Sequence, residues 1–421
     1  PGGNNIADDP KIATITNPRL LPGSPCINAG TFQSWMGNAQ DIDGEARTNG
    51  VVDIGADEYW PAGLTGALPV AIGTPLTRAV VDAAVPFEPL IGGRFSLYLW
   101  SYGDGATDTN VFDARHAYAA PGAYPVILTA YNNSGAAAAT TTVTVVPGAA
   151  WYVQPAGNDG QPGTNWATAK ATIQAGVNAA DAVGGTVWVN NGVYSNGWDE
   201  DGFGGQPNRV AVKKPIAVRS LNGPGATIIM GEKTSGVYAV RCAYLDGDAV
   251  LSGFTLSNGQ IRSYAAGDAL RDRRGAGAWV ELSRGTLSNC MLTANHAYDS
   301  GGGVYGGVLQ DCVLRGNHSE FGNGGGARYA TLTGCAVISN TASQGGGVAD
   351  SVCHDTRLLL NVADSGGAAY QAMLDGCTVF SNRAGYTGGA TYAGEASNSI
   401  FSWNQSNEGG AVRGGTFRHC T

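Results

Sequence analysis

At 421 residues the chain exceeds the usual size of one domain, so two or three are expected. A net charge of −9 removes the basic face that nucleic acid or an anionic membrane requires, and no apolar run approaches the ~18 residues of a spanning helix. Glycine fills 65 positions, roughly twice its usual share, while proline is ordinary; periodic glycine of this kind predicts a strand-rich solenoid and not disorder.

Taken in order, residues 1–60 are rich in turn formers and end in DIDGEARTNGVVDIGADE, which gathers Asp41, Asp43, Asp53, Asp57 and Glu58. The twelve-residue EF-hand spacing with its closing Glu is missing, so a turn-rich cap with Arg47 paired to a carboxylate is expected. A structural Ca2+ is the one cofactor left open, here and at WDEDG (198–202). Stretches 61–68 and 147–150 have the composition of linkers. Between them, residues 95–146 alternate polar and apolar residues around turns at Gly-Asp-Gly, Pro-Gly and Asn-Ser-Gly. Tyr124, Val126, Leu128 and Ala130 fall on one face, the pattern of an antiparallel β-sandwich.

Residues 151–194 open with a strand, then place Ile173, Val177 and Ala180 on one helical face before the strand TVWV. A short amphipathic helix there would cap the open end of a solenoid core. Strands VAVKKPIAVRS, ATIIMG, VYAVRC and AVLSGFTL follow, and then the insert QIRSYAAGDALRDRRGAGAW (260–279).

From 285 onward one unit recurs. Asn295, Asn317, Asn340, Asn361, Asn382 and Asn404 are separated by 22, 23, 21, 21 and 22 residues. Five residues before each stand Cys290, Cys312, Cys335, Thr356, Cys377 and Ser399, with Cys420 next in the series. Three further back come Leu287, Leu309, Leu332, Cys353, Leu374 and Ala396, then Phe417. After each Asn a glycine run leads to Val or Ala, and Asn258 in GFTLSNG is placed in the same slot. A leucine-rich repeat would need a helical segment after the Asn, where HAYDSGGGVYGG stands instead; each glycine costs a helix about 1 kcal/mol relative to alanine. The unit therefore predicts one coil of a right-handed parallel β-helix, about 21–23 residues per turn. Coils stack ~4.8 Å apart, so Cys forms an inward apolar ladder and Asn tolerates left-handed geometry at a bend while bonding the next Asn.

Catalytic motifs are scarce. The C-x-x-C and C-x-x-H spacings of zinc sites are absent, which leaves buried free thiols. No G-x-S-x-G is present, and the histidines, His116, His296, His318 and His419 among them, share no spacing. The sharpest candidate is the insert, where Asp268, Arg271, Asp272, Arg273 and Arg274 would suit lyase or glycosidase chemistry; a solvated, ion-paired loop is the plainer expectation.

Two resemblances follow from these residues. The series W-S-Y-G-D-G…H-A-Y…P-G-A-Y-P-V-I-L-T-A-Y-N-N-S-G, Trp100 to Gly135, resembles the polycystic kidney disease (PKD) domain over roughly 67–147, with Tyr102 where Phe is usual. That resemblance implies an immunoglobulin-like, non-catalytic module of extracellular proteins. The coils resemble the repeats of polymorphic outer membrane proteins, bacterial surface proteins associated with adhesion. GGAV (409–412), GGAT (388–391), FSN (380–382) and FSWN (401–404) carry the likeness, with Val or Thr where Ile is usual. By the same resemblance 1–60 looks like the closing segment of a preceding β-helix. The expected organisation is thus 1–60, that segment; 61–148, the PKD-like sandwich; and 149–421, a capped β-helix continuing beyond this chain. The expected function is a non-catalytic, secreted or surface-displayed bacterial adhesion or structural protein. Its expected partners are glycans or proteins of host or neighbouring cells, without nucleic acid or membrane insertion. Exposed Trp403, Tyr392 and Tyr305 are candidate contacts. Pectate-lyase-like β-helices, which place basic and acidic residues in a groove on the coil face, supply the alternative of a carbohydrate-active enzyme.

Overall fold

The structure, a computed structural model, describes residues 8–12, 19–200, 206–232, 239–261, 273–281, 285–408 and 410–421. Its contacts fall into two compact units, Pro1–Gly148 and Ala149–Thr421.

In the first unit, Val70–Gly73, Val85–Ile91 and Ala114–His116 form a three-stranded antiparallel sheet. Arg78–Val80, Gly135–Val146, Gly122–Asn132, Leu97–Ser101 and Thr107–Thr109 form the facing five-stranded sheet. Alternation along 122–132 turns Val126, Leu128 and Ala130 inward, with Tyr124 half-buried, as the pattern predicts. They pack with Phe87, Tyr98, Trp100, Tyr102 and Tyr118, all buried. Trp100 donates its indole N–H to the Val111 carbonyl at 3.0 Å, so its polar edge is satisfied inside the core. Residues 8–60 contain turns, the 3₁₀ helix Ser34–Asn38 and the bridges Ile12↔Leu20 and Gln40↔Ala46. Segment 61–68, though linker-like in composition, is bonded to the sandwich: Asn133 donates to the Leu64 carbonyl at 2.8 Å, and Leu64 is buried.

The second unit is an all-β parallel solenoid. Its helix, Ile173–Ala179, starts at Thr172, whose hydroxyl accepts from the Ala175 amide, and it buries Ile173 and Val177 against Val153 and Val187. Strands then stack in parallel register on three faces. On the first face Leu287, Leu309, Leu332, Cys353, Leu374, Ala396 and Phe417 are successive partners. On the second, Leu292, Leu314, Val337, Leu358, Val379 and Phe401 follow one another. The third face begins at His296–Ala297 and His318–Ser319. The core is therefore a set of in-register apolar columns, which is the physical meaning of the repeat.

Two further columns are polar. Asn295, Asn317, Asn340, Asn361 and Asn382 each donate Nδ2–H to the Oδ1 of the next Asn, at 2.9–3.0 Å. The same Oδ1 also accepts the backbone N–H of the preceding Asn, and a second Nδ2–H bonds a carbonyl one coil back, as Asn317 does with Leu292. The expected Asn-to-Asn bonding is present, but the left-handed bend sits one residue earlier, at Ala294, Gly316, Ser339, Leu360, Ser381 and Trp403. Asn258 accordingly lies at that bend, paired in sequence with Ala294. Gly259 occupies the ladder slot, donating to Asn295 Oδ1. The ladder starts at Asn295 because Asn258 is one residue short.

All eight cysteines are free, and seven are buried. Thr356 and Ser399 replace Cys without breaking the column: their hydroxyls accept from Cys335 and Cys377 amides, as Cys312 Sγ accepts from the Cys290 amide. Burial pushes the Cys353 thiol up and raises Cys242 to about 12. Since thiolate and access govern reactivity, a thiol reagent is expected to find only Cys420 quickly in the native protein and all 8 cysteines in denaturant. Fast labelling of several native thiols would contradict this packing.

Candidate functional site

The acidic residues of the first unit serve the backbone. Asp41 Oδ1 accepts the amides of Asp43 and Glu45, Asp53 those of Asn28 and Tyr59, and Glu58 those of Asn49 and Asp53. Arg47 does not pair with a carboxylate as expected; its guanidinium donates to the Gly55 carbonyl at 2.7 Å. The ion pairs form elsewhere, with Arg19 on Asp43 and Arg94 on Glu45 (2.6 Å) and Asp43 (3.3 Å). With their oxygens turned to N–H donors, these carboxylates act as turn anchors. Among the described residues, no three His, Cys, Asp or Glu side chains are arrayed around a metal position.

Asp57 is the exception in titration. Burial, outweighing the bond from the Leu20 amide, raises its carboxyl to about 6. A carboxyl raised above its unfolded value of ~3.9 favours its protonated form in the native state. The first unit should therefore gain stability as pH falls from about 7 toward 4, opposite to the usual carboxylate trend. Asp57→Asn, which keeps an acceptor for Leu20, is expected to remove that rise; melting curves at pH 7.5 and 5 measure it.

In the insert, Asp268, Arg271 and Asp272 lie outside the described residues. Arg274 is described and committed: it donates to Asp299 at 2.8 Å and to the Tyr305 hydroxyl at 3.0 Å. From Asp299 the network continues through the Ser300 hydroxyl (3.1 Å) to Arg328 (2.8 Å), which also holds Asp350 (2.9 Å). Arg241, fully buried, donates to Asn208 Oδ1 and to the Gly275 and Arg274 carbonyls. Tyr305 stacks on Trp279 at 4.4 Å and is only 8% exposed, so it is not the surface contact expected of it. Trp403 is exposed at 74%, and Tyr392 is half-buried, stacked on Tyr370 at 5.4 Å. Asp199 of WDEDG receives a bond from Gln174 Nε2 at 3.3 Å; residues 201–202 lie outside the described set. His116 bonds Asp104 at 2.6 Å at the surface of the sandwich.

The open groove lies farther along the solenoid. It has a volume of about 310 Å³ and is lined by His354, Met373, Asp375, Glu395, Ser397 and Arg418, among others. Strands Val352–His354, Met373–Asp375, Thr391–Ser397 and Val412–Arg418 carry these side chains outward on alternate positions. Asp375 is the best-held group. Ser397 donates its hydroxyl to Oδ1 at 2.7 Å and Asn398 its amide at 3.0 Å; His354 Nδ1 stands 3.8 Å from Oδ2. Those donors, the Ser397 hydroxyl foremost, hold the Asp375 carboxyl below the usual range, so it is a fixed anion. Glu395 pairs in register with Met373, and Asp375 with Ser397, so the two acids are diagonal neighbours on adjacent coils. One strand spacing of ~4.8 Å and two residue rises of ~3.3 Å put their Cα atoms about 8 Å apart.

Fold and groove together define a parallel β-helix protein carrying an immunoglobulin-like module. That module is a PKD domain: residues 77–146 match the PKD domain family. No curated protein matches the chain. Among solved structures it is similar to a carbohydrate-binding-module structure of the β-sandwich superfamily, at 24% identity over 20% of this chain and 36% of that one, TM-score 0.19. A rhamnogalacturonan lyase aligns at 15% identity over 64% of this chain and 62% of that one, TM-score 0.30. Pectin methylesterase PemA from Erwinia chrysanthemi aligns at 11% identity over 63% and 80%, TM-score 0.35. The chain thus spans less than two thirds of the first two. The fold assignment rests on the strand register above and not on these scores.

Proposed function

We propose that this chain is part of a secreted or surface-displayed bacterial protein in which the β-helix is a rigid, non-catalytic shaft that binds glycans in the groove over its last coils. PKD domains occur in extracellular proteins, and no helix among the described residues is long and apolar enough to cross a membrane. The observation that carries the reading is Asp375, an anion fixed by Ser397 and Asn398 in an open groove. Such a group accepts hydroxyl hydrogen bonds with little reorganisation, while His354 on the preceding coil and Arg418 two coils on supply donors in the same groove. A carboxyl held ionised does not act as a general acid. Proteins of neighbouring cells are the other partner class for the same face.

The test is a panel of soluble polysaccharides presented to the full chain, read by surface plasmon resonance, beside Asp375→Ala and Arg418→Ala. The reading expects binding to at least one glycan, weakened about tenfold or more by either change, since each removes a charged hydrogen-bond partner. Binding that both variants retain in full would place the site elsewhere.

A second reading has one observation behind it. Asp375 and Glu395 are diagonal neighbours lining one groove, and a pair of carboxyl groups flanking the scissile bond is what glycosidases use. In that chemistry Asp375 would be the base activating water and Glu395 the acid protonating the leaving oxygen.

A further inference from the structure

One coil of the third face carries an extra residue. Gly345 follows Asn340 by five residues and Gly366 follows Asn361 by five, whereas Gly388 follows Asn382 by six. The strand register locates the addition. Ala384 pairs with Ala363 on one side and Ser406 on the other, and Thr387 pairs with Ser365 and Glu408. Gly385 and Tyr386 therefore stand opposite one residue, Asp364, on the coil before and one residue, Asn407, on the coil after. This is a β-bulge, a device that re-aims a side chain. It is held in place, because Asn407 donates its side-chain amide to the Gly385 carbonyl. The side chain it re-aims is Tyr386, which is 64% exposed. Beside the bulge runs an open groove of about 290 Å³, lined by Glu320, Thr341, Val362, Asp364, Arg383 and Gly385 among others. His318, Thr341, Val362 and Arg383 are register partners on four successive coils, so the groove spans about 14 Å at ~4.8 Å per coil.

From the bulge and the groove together we infer a second carbohydrate subsite, which takes a neutral, hydroxyl-rich glycan chain with one pyranose ring stacked on Tyr386. A pyranose presents a face of C–H groups and a rim of hydroxyls. The exposed tyrosine ring offers the face an apolar surface, and Arg383, Asp364 and Thr341 offer the rim hydrogen-bond partners. A peptide anchor would need a desolvated apolar pocket, whereas the apolar side chains of this lining are Val362 and two alanines. Charge selects among glycans. Glu320 and Asp364 outnumber the guanidinium of Arg383, and burial, with His296 beside it, lowers the His318 pKa, so that ring adds no charge at neutral pH. A polyuronate would meet like charge here. The subsite does not rest on Asp375, which belongs to the first face.

The experiment uses the 421-residue chain carrying Asp375→Ala, so that binding in the first groove is already weakened. Galactomannan, xyloglucan and mixed-linkage β-glucan are the neutral probes and polygalacturonate the acidic one, each read by surface plasmon resonance. The expected result is saturable binding of at least one neutral probe. Tyr386→Ala should weaken it about tenfold, as should Arg383→Ala, while Tyr386→Phe, which keeps the ring, should retain it. Polygalacturonate should respond to neither tyrosine variant. Tyr386 and Arg383 are exposed, and matched melting curves confirm that the fold is retained. Equal affinity of the parent and Tyr386→Ala, or a loss with Tyr386→Phe as severe as with Tyr386→Ala, would overturn the stacking platform. A parent chain that binds none of the three neutral probes would overturn the subsite and leave the bulge to a protein partner. Neither result bears on the reading of Asp375, which is tested on the wild-type chain.

Discussion

Replacing Asn340 with alanine is expected to destabilise the β-helix by about 2–6 kcal/mol, because two buried donors lose their acceptor at ~1–3 kcal/mol each. Asn340 is fully buried, and its Oδ1 accepts both the backbone N–H and the Nδ2–H of Asn317. Its own Nδ2 donates to the Leu314 carbonyl and to Asn361 Oδ1, and the latter also accepts the backbone N–H of residue 340. No water can replace these bonds without opening the stack. The effect should therefore be far larger than that of Asn404→Ala, where the side chain is half-buried and solvent can compensate. Urea unfolding followed by circular dichroism measures both. Equal midpoints for the two variants would show that the amide column contributes little to stability.

Gly325→Ala is the second large effect, and it isolates why glycines come in runs. An added Cβ would stand 2.3 Å from the Thr341 carbonyl oxygen and 2.5 Å from that of Gly346. Both oxygens belong to the backbone of the next coil, so the coils themselves must separate and interrupt the ladder bonds between them. Overpacking of this kind costs about 3 kcal/mol or more when the obstacle cannot turn aside. Gly316 is the control. It sits in a left-handed bend (φ 63) with nothing within 4 Å of its missing Cβ, and alanine already occupies the equivalent bend at Ala294. Gly316→Ala should cost only the left-handed penalty of ~1–2 kcal/mol. The ratio of the two losses distinguishes close backbone approach from backbone freedom.

Much of this architecture is legible because coil stacking turns sequence period into spatial columns. Cys, Leu and Asn recur at matching offsets, and the structure places each series in its own ladder. The slip at Asn258 has a local cause: GFTLSNG contains the right letters, but the strand Thr255–Ser257 pairs with Met291–Thr293, which puts Gly259 level with Asn295. Tyr305 misled for another reason. Outward direction on a strand does not mean exposure where Trp279 and Arg274 cover the ring. The groove was missed although it has a signature. His354, Asp375, Ser397 and Arg418 each stand two residues before a position of the cysteine series, at Thr356, Cys377, Ser399 and Cys420. Reading that offset as a column would have assembled a charged strip from residues about twenty apart. Their burial, the diagonal to Glu395 and the hydrogen bonds to Asp375 depend on side-chain directions that periodicity does not carry.

The distinction between a binding shaft and an enzyme is most directly settled by product formation on a polysaccharide that the groove binds. The 421-residue chain would be incubated with that glycan, with and without Ca2+, and followed for reducing ends and for unsaturated-product absorbance. The account predicts saturable binding with neither signal above that of heat-denatured protein, for wild type and for Glu395→Gln alike. Reducing ends that appear with wild type and vanish with Glu395→Gln would contradict it, and would make Asp375 and Glu395 the base and acid of a hydrolase.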